Sequence, residues 1–130
     1  MDETRRREAE MSFSRAGLAE KVEILAGNAK VIVPKISKTE RESFDVVFLD
    51  VGEKTLYVEL LEPCLELLRV GGFLIADNTL WGGEIANPKN RAKETETIRK
   101  FNRLVFSDER LDASIIPLRD GFTVARKKKQ

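Results

Sequence analysis

Two points along the chain carry the residues best suited to do chemistry. One is Asp50, which closes the apolar run FDVVFLD at 44–50; the other is the pair Asp77-Asn78, which closes GFLIADN at 72–78. If both runs are strands of an open α/β sheet, their carboxyl ends are where a ligand gathers. Adjacent strands lie ~4.8 Å apart, so two carboxylates and an amide oxygen would converge on one point. That hard, all-oxygen set suits Mg²⁺ or Ca²⁺, or Mn²⁺ among transition metals, with positions left for water or a substrate. Asp and Asn at such places also cap helices and turns, and spacing alone leaves both readings open. The block that follows, Leu80-Trp81-Gly82-Gly83, favours a site. A Trp81 ring on a glycine-flexed loop beside acidic strand ends makes one wall for a substrate, although a lone Trp also serves in packing.

Composition removes other chemistries. The chain has no histidine and one cysteine, Cys64, so His-dependent triads, His-ligated zinc and an intrachain disulfide are excluded. Cys64 falls among Leu60, Leu61 and Leu67, where it reads as a small core residue. The 23 basic and 22 acidic residues leave a net charge of +1, which predicts no nucleic-acid or anionic-membrane partner. Arg5-Arg6-Arg7 and Lys127-Lys128-Lys129 lie near the chain ends and read as solvated termini. No apolar run approaches the roughly 20 residues of a membrane span, and the first residues are not a signal peptide. The expected compartment is cytoplasmic.

The elements that must position these residues follow from periodicity. Residues 4–16 form a helix with Ala9, Phe13 and Ala16 on one face and Gly17 as its stop. VEIL at 22–25 reads as a short strand. Asn28 then caps a short helix from Ala29, which Pro34 limits. The strand at 44–50 is apolar enough to be buried on both faces, as a parallel sheet requires. A helix over 55–69 carries Tyr57, Leu60, Leu61, Cys64 and Leu68 on one side, with a kink or split at Pro63. Gly71-Gly72 end it, and 73–76 form the next strand, parallel and adjacent to the first. Residues 79–93 read as a long loop, 95–106 as a helix, and 112–118 with 121–126 as a hairpin turning at Arg119-Asp120-Gly121. With no linker or repeat, residues 1–130 read as a single domain of α/β class.

These residues also carry a family resemblance. The stretch from Asp77 to Gly83, DNTLWGG, resembles the DN-x-LW-x-G signature of the metal-dependent, S-adenosylmethionine (SAM) using O-methyltransferases of catechol and caffeoyl-CoA type. In the family's order stand Ala16-Gly17-Leu18 through Val22-Glu23 (like AGL-x-x-x-VE), Gly27-Asn28-Ala29 (like GDA) and 44–50 (like FD-x-x-F-x-D). They are followed by 67–72, like LLRPGG, and 120–126, like DGLTLAR. Each block is weak alone; their ordered combination is specific and covers nearly the whole chain.

The resemblance implies a Rossmann-like methyltransferase fold, mostly parallel with a C-terminal antiparallel hairpin and helices on both faces. It implies that Asp50, Asp77 and Asn78 are ligands of a divalent metal. That metal holds two adjacent hydroxyls of a catechol-like or other small hydroxylated acceptor and lowers the pKa of one. It implies a lysine base three residues after the first aspartate, but Glu53 stands there. Lys54 and Tyr57 keep their mutual spacing, so a one-residue insertion near Val51-Gly52 leaves Lys54 as the base's counterpart; a surface lysine is the other reading. Asn28 replaces the family's adenine-contacting Asp, and Asn28, Ala29 and Asp50 are the expected donor contacts. Trp81 is the expected substrate wall.

Aligned in this way, Met1 falls just after the acid that holds the donor's ribose, so the chain matches the C-terminal portion of such a domain. The strand bearing the Gly-rich donor loop and the strand ending in that acid are not within it. The sheet is therefore expected to lack two central strands, and the open edges to favour a homo-oligomer. The alternative function is a non-catalytic methyltransferase remnant acting as a dimerising or binding module.

Overall fold

The structure is a computed structural model that describes residues 3–129. In chain order its elements are α1 (Glu3–Arg15), a 3₁₀ turn (Ala19–Lys21), α2 (Ala29–Thr39), β1 (Phe44–Leu49), α3 (Leu56–Leu67) and β2 (Leu68–Ala76). There follow a 3₁₀ segment (Trp81–Ala86), α4 (Lys93–Ser107), β3 (Leu111–Ile116) and β4 (Phe122–Lys127). Branched and aromatic residues make β1 and β2 strands, and α3 between them lets them lie parallel, with Val46 opposite Phe73 and Leu49 opposite Ala76. The expected adjacency of these two strands is therefore present.

The sheet has the order β1-β2-β4-β3. Only β1 and β2 run parallel; β2–β4 and β3–β4 are antiparallel. The expectation of a mostly parallel sheet is corrected, because the C-terminal hairpin supplies half of the four strands. Among the described residues, helices on both faces are also not found. Leu49, Leu74, Ala76 and Ala125 on one sheet face pack with Tyr57, Leu60 and Leu61 of α3 and with Ile98, Phe101 and Val105 of α4 in a single core. On the opposite face Val46, Phe48, Phe73 and Ile116 are exposed. α1 buries no residue; it is polar around most of its surface and held by local pairs such as Arg6–Glu10 and Glu3–Arg7.

Four further expectations change. VEIL at 22–25 is extended but is not a strand, since no described residue pairs with it, and strand structure needs a hydrogen-bonded neighbour. α2 continues five residues past Pro34, and α3 runs unbroken through Pro63. In each case the residue four back, Lys30 or Glu59, is exposed, so water can satisfy the carbonyl that proline leaves without a donor. Gly71-Gly72 do not end α3 but lie inside β2 at a register shift opposite Phe44 and Val46. A Cβ on Gly72 would stand 2.9 Å from Asp45 O and 3.1 Å from Phe44 O, so the close approach of β1 requires glycine. Finally, the loop over 79–93 contains the 3₁₀ segment, bent at Gly82 and Gly83 where φ is 60° and 82°.

Candidate functional site

The parallel ladder brings the chemistry-bearing residues together. Beyond the last strand pair, Leu49 and Ala76, the Asp77 N–H donates to Leu49 O at 3.1 Å. Asp50 and Asp77 thus leave neighbouring strands at the same level. The chain then turns sharply: Asn78 takes φ 58° and Trp81 φ 50°. Asn tolerates this left-handed region, whereas for Trp it is strained, a conformation that persists only where surrounding contacts hold it.

Those contacts come from the hairpin turn and α4. Thr79 N and Leu80 N donate to Gly121 O (3.0 Å) and Asp120 O (2.9 Å). The Asn102 amide of α4 donates to Thr79 O at 2.8 Å, and the Asp120 carboxylate accepts from Gly82 N–H. Gly121 has φ 83°, and a Cβ there would stand 2.4 Å from Leu80 Cγ. The hairpin is therefore clamped directly onto the 77–82 turn.

Lys54 sits at the centre. It is 6% exposed and its ammonium donates to Asn78 Oδ1 (2.7 Å), Tyr57 OH (3.0 Å) and Val51 O (3.1 Å). An ammonium has three protons, and all three are engaged. Tyr57 OH in turn donates to Asp77 O at 2.9 Å. The Lys54 Nζ lies 4.7 Å from the Tyr57 ring centroid and 5.7 Å from that of Trp81. Burial lowers the Lys54 pKa, opposed by the carboxylates of Asp50, Asp77 and Asp120. Burial, reinforced by the Asp50 and Asp77 charges, raises that of Tyr57. Three carboxylates thus act on one point. Glu53 faces outward and accepts from the Thr55 hydroxyl at 2.6 Å, so Lys54, not Glu53, is the neighbour of Asn78.

Among the described residues no group of three or more His, Cys, Asp and Glu is gathered tightly enough to hold an ion. The donor set is a mixed one, the carboxylates of Asp50 and Asp77 with the Asn78 amide oxygen. It fits a hard cation on one direct observation: a cation, the Lys54 ammonium, already rests on Asn78 Oδ1. Asp77 Oδ1 accepts from the Asn78 N–H at 2.6 Å, which fixes the carboxylate's orientation.

The expected donor contacts are less gathered. Asn28 Oδ1 accepts from Lys30 N–H at 2.9 Å, so it caps α2 as its type predicts. Ala29 and Val51 line an apolar groove of about 260 Å³ with Val33, Val46 and Val47, along the β1 edge that no described strand covers. Among the described residues no hydrogen bond joins Asn28 to the Lys54 cluster. Burial pushes the Cys64 thiol up to about 12, in keeping with a core residue. In the sequence Tyr57 stands out by its place on the apolar side of a helix and by its spacing from Lys54, and neither Asp120 nor Asn102 stands out as a site residue. The three-residue step from Lys54 to Tyr57 was the one available signal; the other two reach the site through tertiary contacts.

A family model described as O-methyltransferase matches residues 1–128. Caffeoyl-CoA O-methyltransferase of Stellaria longipes is 32% identical over 122 residues, covering 88% of this chain and 50% of that protein. Tricin synthase 2 of Oryza sativa subsp. japonica is 36% identical over 123 residues, covering 88% and 42%. The O-methyltransferase TomG of Streptomyces achromogenes, solved in complex with SAM, superposes with a TM-score of 0.88 at 26% identity over 98% of this chain and 59% of that one. An O-methyltransferase from Bacillus cereus in complex with SAH gives 0.86 at 27% identity, covering 98% and 60%. The chain spans about half the length of the curated relatives it matches. With that model spanning residues 1–128, the chain belongs to the O-methyltransferase family.

Proposed function

We propose that residues 1–130 form a single unit, the C-terminal portion of a SAM-dependent, divalent-metal-assisted O-methyltransferase domain. Its acceptor would be a catechol-like or other small hydroxylated molecule, and its compartment the cytoplasm. The observation that carries this reading is the convergence of Asp50, Asp77, Asn78 and a buried Lys54 at the ends of two adjacent parallel strands.

Asp50, Asp77 and Asn78 would hold Mg²⁺ or Ca²⁺, which lowers the pKa of an acceptor hydroxyl when bound. In its neutral amine form, which burial favours, Lys54 would take that hydroxyl's proton at Nζ. Trp81 lies over Lys54 and forms a wall that orients the acceptor ring and excludes water. Asn28, Ala29 and Asp50 would line one side of the SAM site. With Asn28 Oδ1 spent on the α2 cap, the Asn28 NH₂ remains to donate to the adenine.

Trp81 is the only tryptophan, so its fluorescence reports on this site alone. Catechol is expected to quench it with Mg²⁺ present but not with EDTA, and phenol is expected to do neither. Quenching by catechol that ignores the metal would sink the reading.

A second reading is favoured by the bare sheet face. Val46, Phe48, Phe73 and Ile116 are exposed together on one side of the sheet, and such a patch marks an interface. On this reading the chain is a non-catalytic remnant that dimerises. A symmetric homo-oligomer is expected on either reading.

A further inference from the structure

The contact between Lys54 and Asn78 carries a consequence for metal entry, and it rests on the reading of Asn78 as a metal ligand. The Asn78 amide oxygen has one strong partner in the structure, the Lys54 ammonium at 2.7 Å. The same ammonium is anchored from behind by Val51 O and Tyr57 OH and faces the charges of Asp50, Asp77 and Asp120. A lysine on this acidic strand end thus neutralises part of the charge that a divalent ion would otherwise meet. A divalent ion on Asn78 Oδ1 would share that oxygen with the ammonium, and the two cations would repel across a few ångströms of low-dielectric interior.

We propose that Lys54 acts as a built-in cation at the metal position, and that a divalent ion and the Lys54 ammonium hold Asn78 Oδ1 in alternation. Metal entry then breaks the Lys54–Asn78 hydrogen bond and swings Nζ out from beneath Trp81 towards the acceptor side. The metal-free site is kept stable by the lysine, and the lysine is released only when the ion that prepares an acceptor has arrived. Two features make such an exchange workable. Lys54 precedes α3 in a turn at 54–55 rather than standing inside the helix. Its side chain is long and flexible.

Mn²⁺ titration followed by electron paramagnetic resonance, on the 130-residue chain, tests the exchange without any need for turnover. Lys54→Met keeps the length of the side chain and removes the charge, so it is expected to bind Mn²⁺ at least tenfold more tightly than wild type. Asp77→Ala is expected to lose binding in either background. In parallel, acylation of lysines read by mass spectrometry is expected to show Lys54 protected without metal and several-fold more reactive with Mn²⁺ or Mg²⁺. Equal or weaker binding by Lys54→Met, with Asp77→Ala defective, overturns the exchange and leaves the metal reading intact. No binding by either protein, or full binding by Asp77→Ala, overturns both. If Lys54→Met does not fold, the wild-type footprint decides: a Lys54 signal that metal leaves unchanged overturns the proposal.

Discussion

At Tyr57 a single hydroxyl joins the two halves of the candidate site, accepting from Lys54 Nζ and donating to Asp77 O. Its ring also meets Phe101 edge-on, with centroids 5.3 Å apart, so the side chain is positioned by packing that does not depend on the hydroxyl. Tyr57→Phe should therefore keep the core and lose only the two hydrogen bonds. Leaving a buried carbonyl and an ammonium each short of a partner costs ~1–3 kcal/mol. Urea denaturation should show that loss with an unchanged m-value. The same variant should free the Lys54 head group, and a stability equal to wild type would show that water replaces the hydroxyl. Residue identity alone could not separate Lys54 from an ordinary surface lysine; burial and three acceptors do.

Among elements, the junction of α3 with the α4–β3 turn is held by one guanidinium. Arg110 donates to both oxygens of Glu62 at 2.7 Å and to Asp108. Hydrogen bonds from Arg110 hold both carboxyls below their usual range. A carboxylate with a lowered folded pKa contributes stability that is fully present above its unfolded value. That stability is lost as pH falls through the folded one. The clasp should therefore act at neutral pH and fade below about pH 4, where unperturbed carboxylates protonate. Glu62 is 60% exposed, so solvent screens the pair and the effect is modest. Arg110→Gln should lower Tm by a few degrees at pH 7 and match wild type in acid; thermal scans across pH would check it. A deficit that persists undiminished in acid would assign Arg110 a packing role instead.

For the whole molecule, two features follow from a sheet whose β1 edge and one face stand open. On the proposed reading, Asn28, Ala29 and Asp50 would form one side of a SAM site. Two or three missing hydrogen bonds to polar or charged donor groups, at ~1.5–3 kcal/mol each, would remove roughly 3 to 9 kcal/mol. A donor held at micromolar affinity, about −8 kcal/mol, would become millimolar or weaker. Calorimetry on the 130-residue chain is expected to find no micromolar SAM binding and no methyl transfer. Light scattering is expected to find self-association through the exposed apolar face. Phe48 is 55% exposed, so Phe48→Lys should shift the chain towards monomer with little loss of fold. A wild-type monomer that binds SAM at micromolar concentration would contradict both expectations.

The sequence by itself determined the elements with strong local signals: β1 and β2 as neighbouring parallel strands, α3 between them, α4, and the Asp-Gly hairpin. Apolar periodicity and turn chemistry act within a few residues, which is why these were legible. It also marked Asp50, Asp77 and Asn78 as strand-end acids and an amide, and the ordered motifs identified the family. Only the tertiary structure decided what depends on residues far apart. VEIL is not a strand because no described residue pairs with it. Gly71-Gly72 lie inside β2, where Phe44 and Asp45 come close enough to Gly72 to exclude a side chain. Lys54 is a buried group because the Asn78 amide oxygen, 24 residues on, accepts a hydrogen bond from its ammonium. Asp120 and Asn102 enter the site because the hairpin and α4 clamp the turn that carries Asn78. Each of these rests on a contact between segments, and no local pattern encodes which segments will meet.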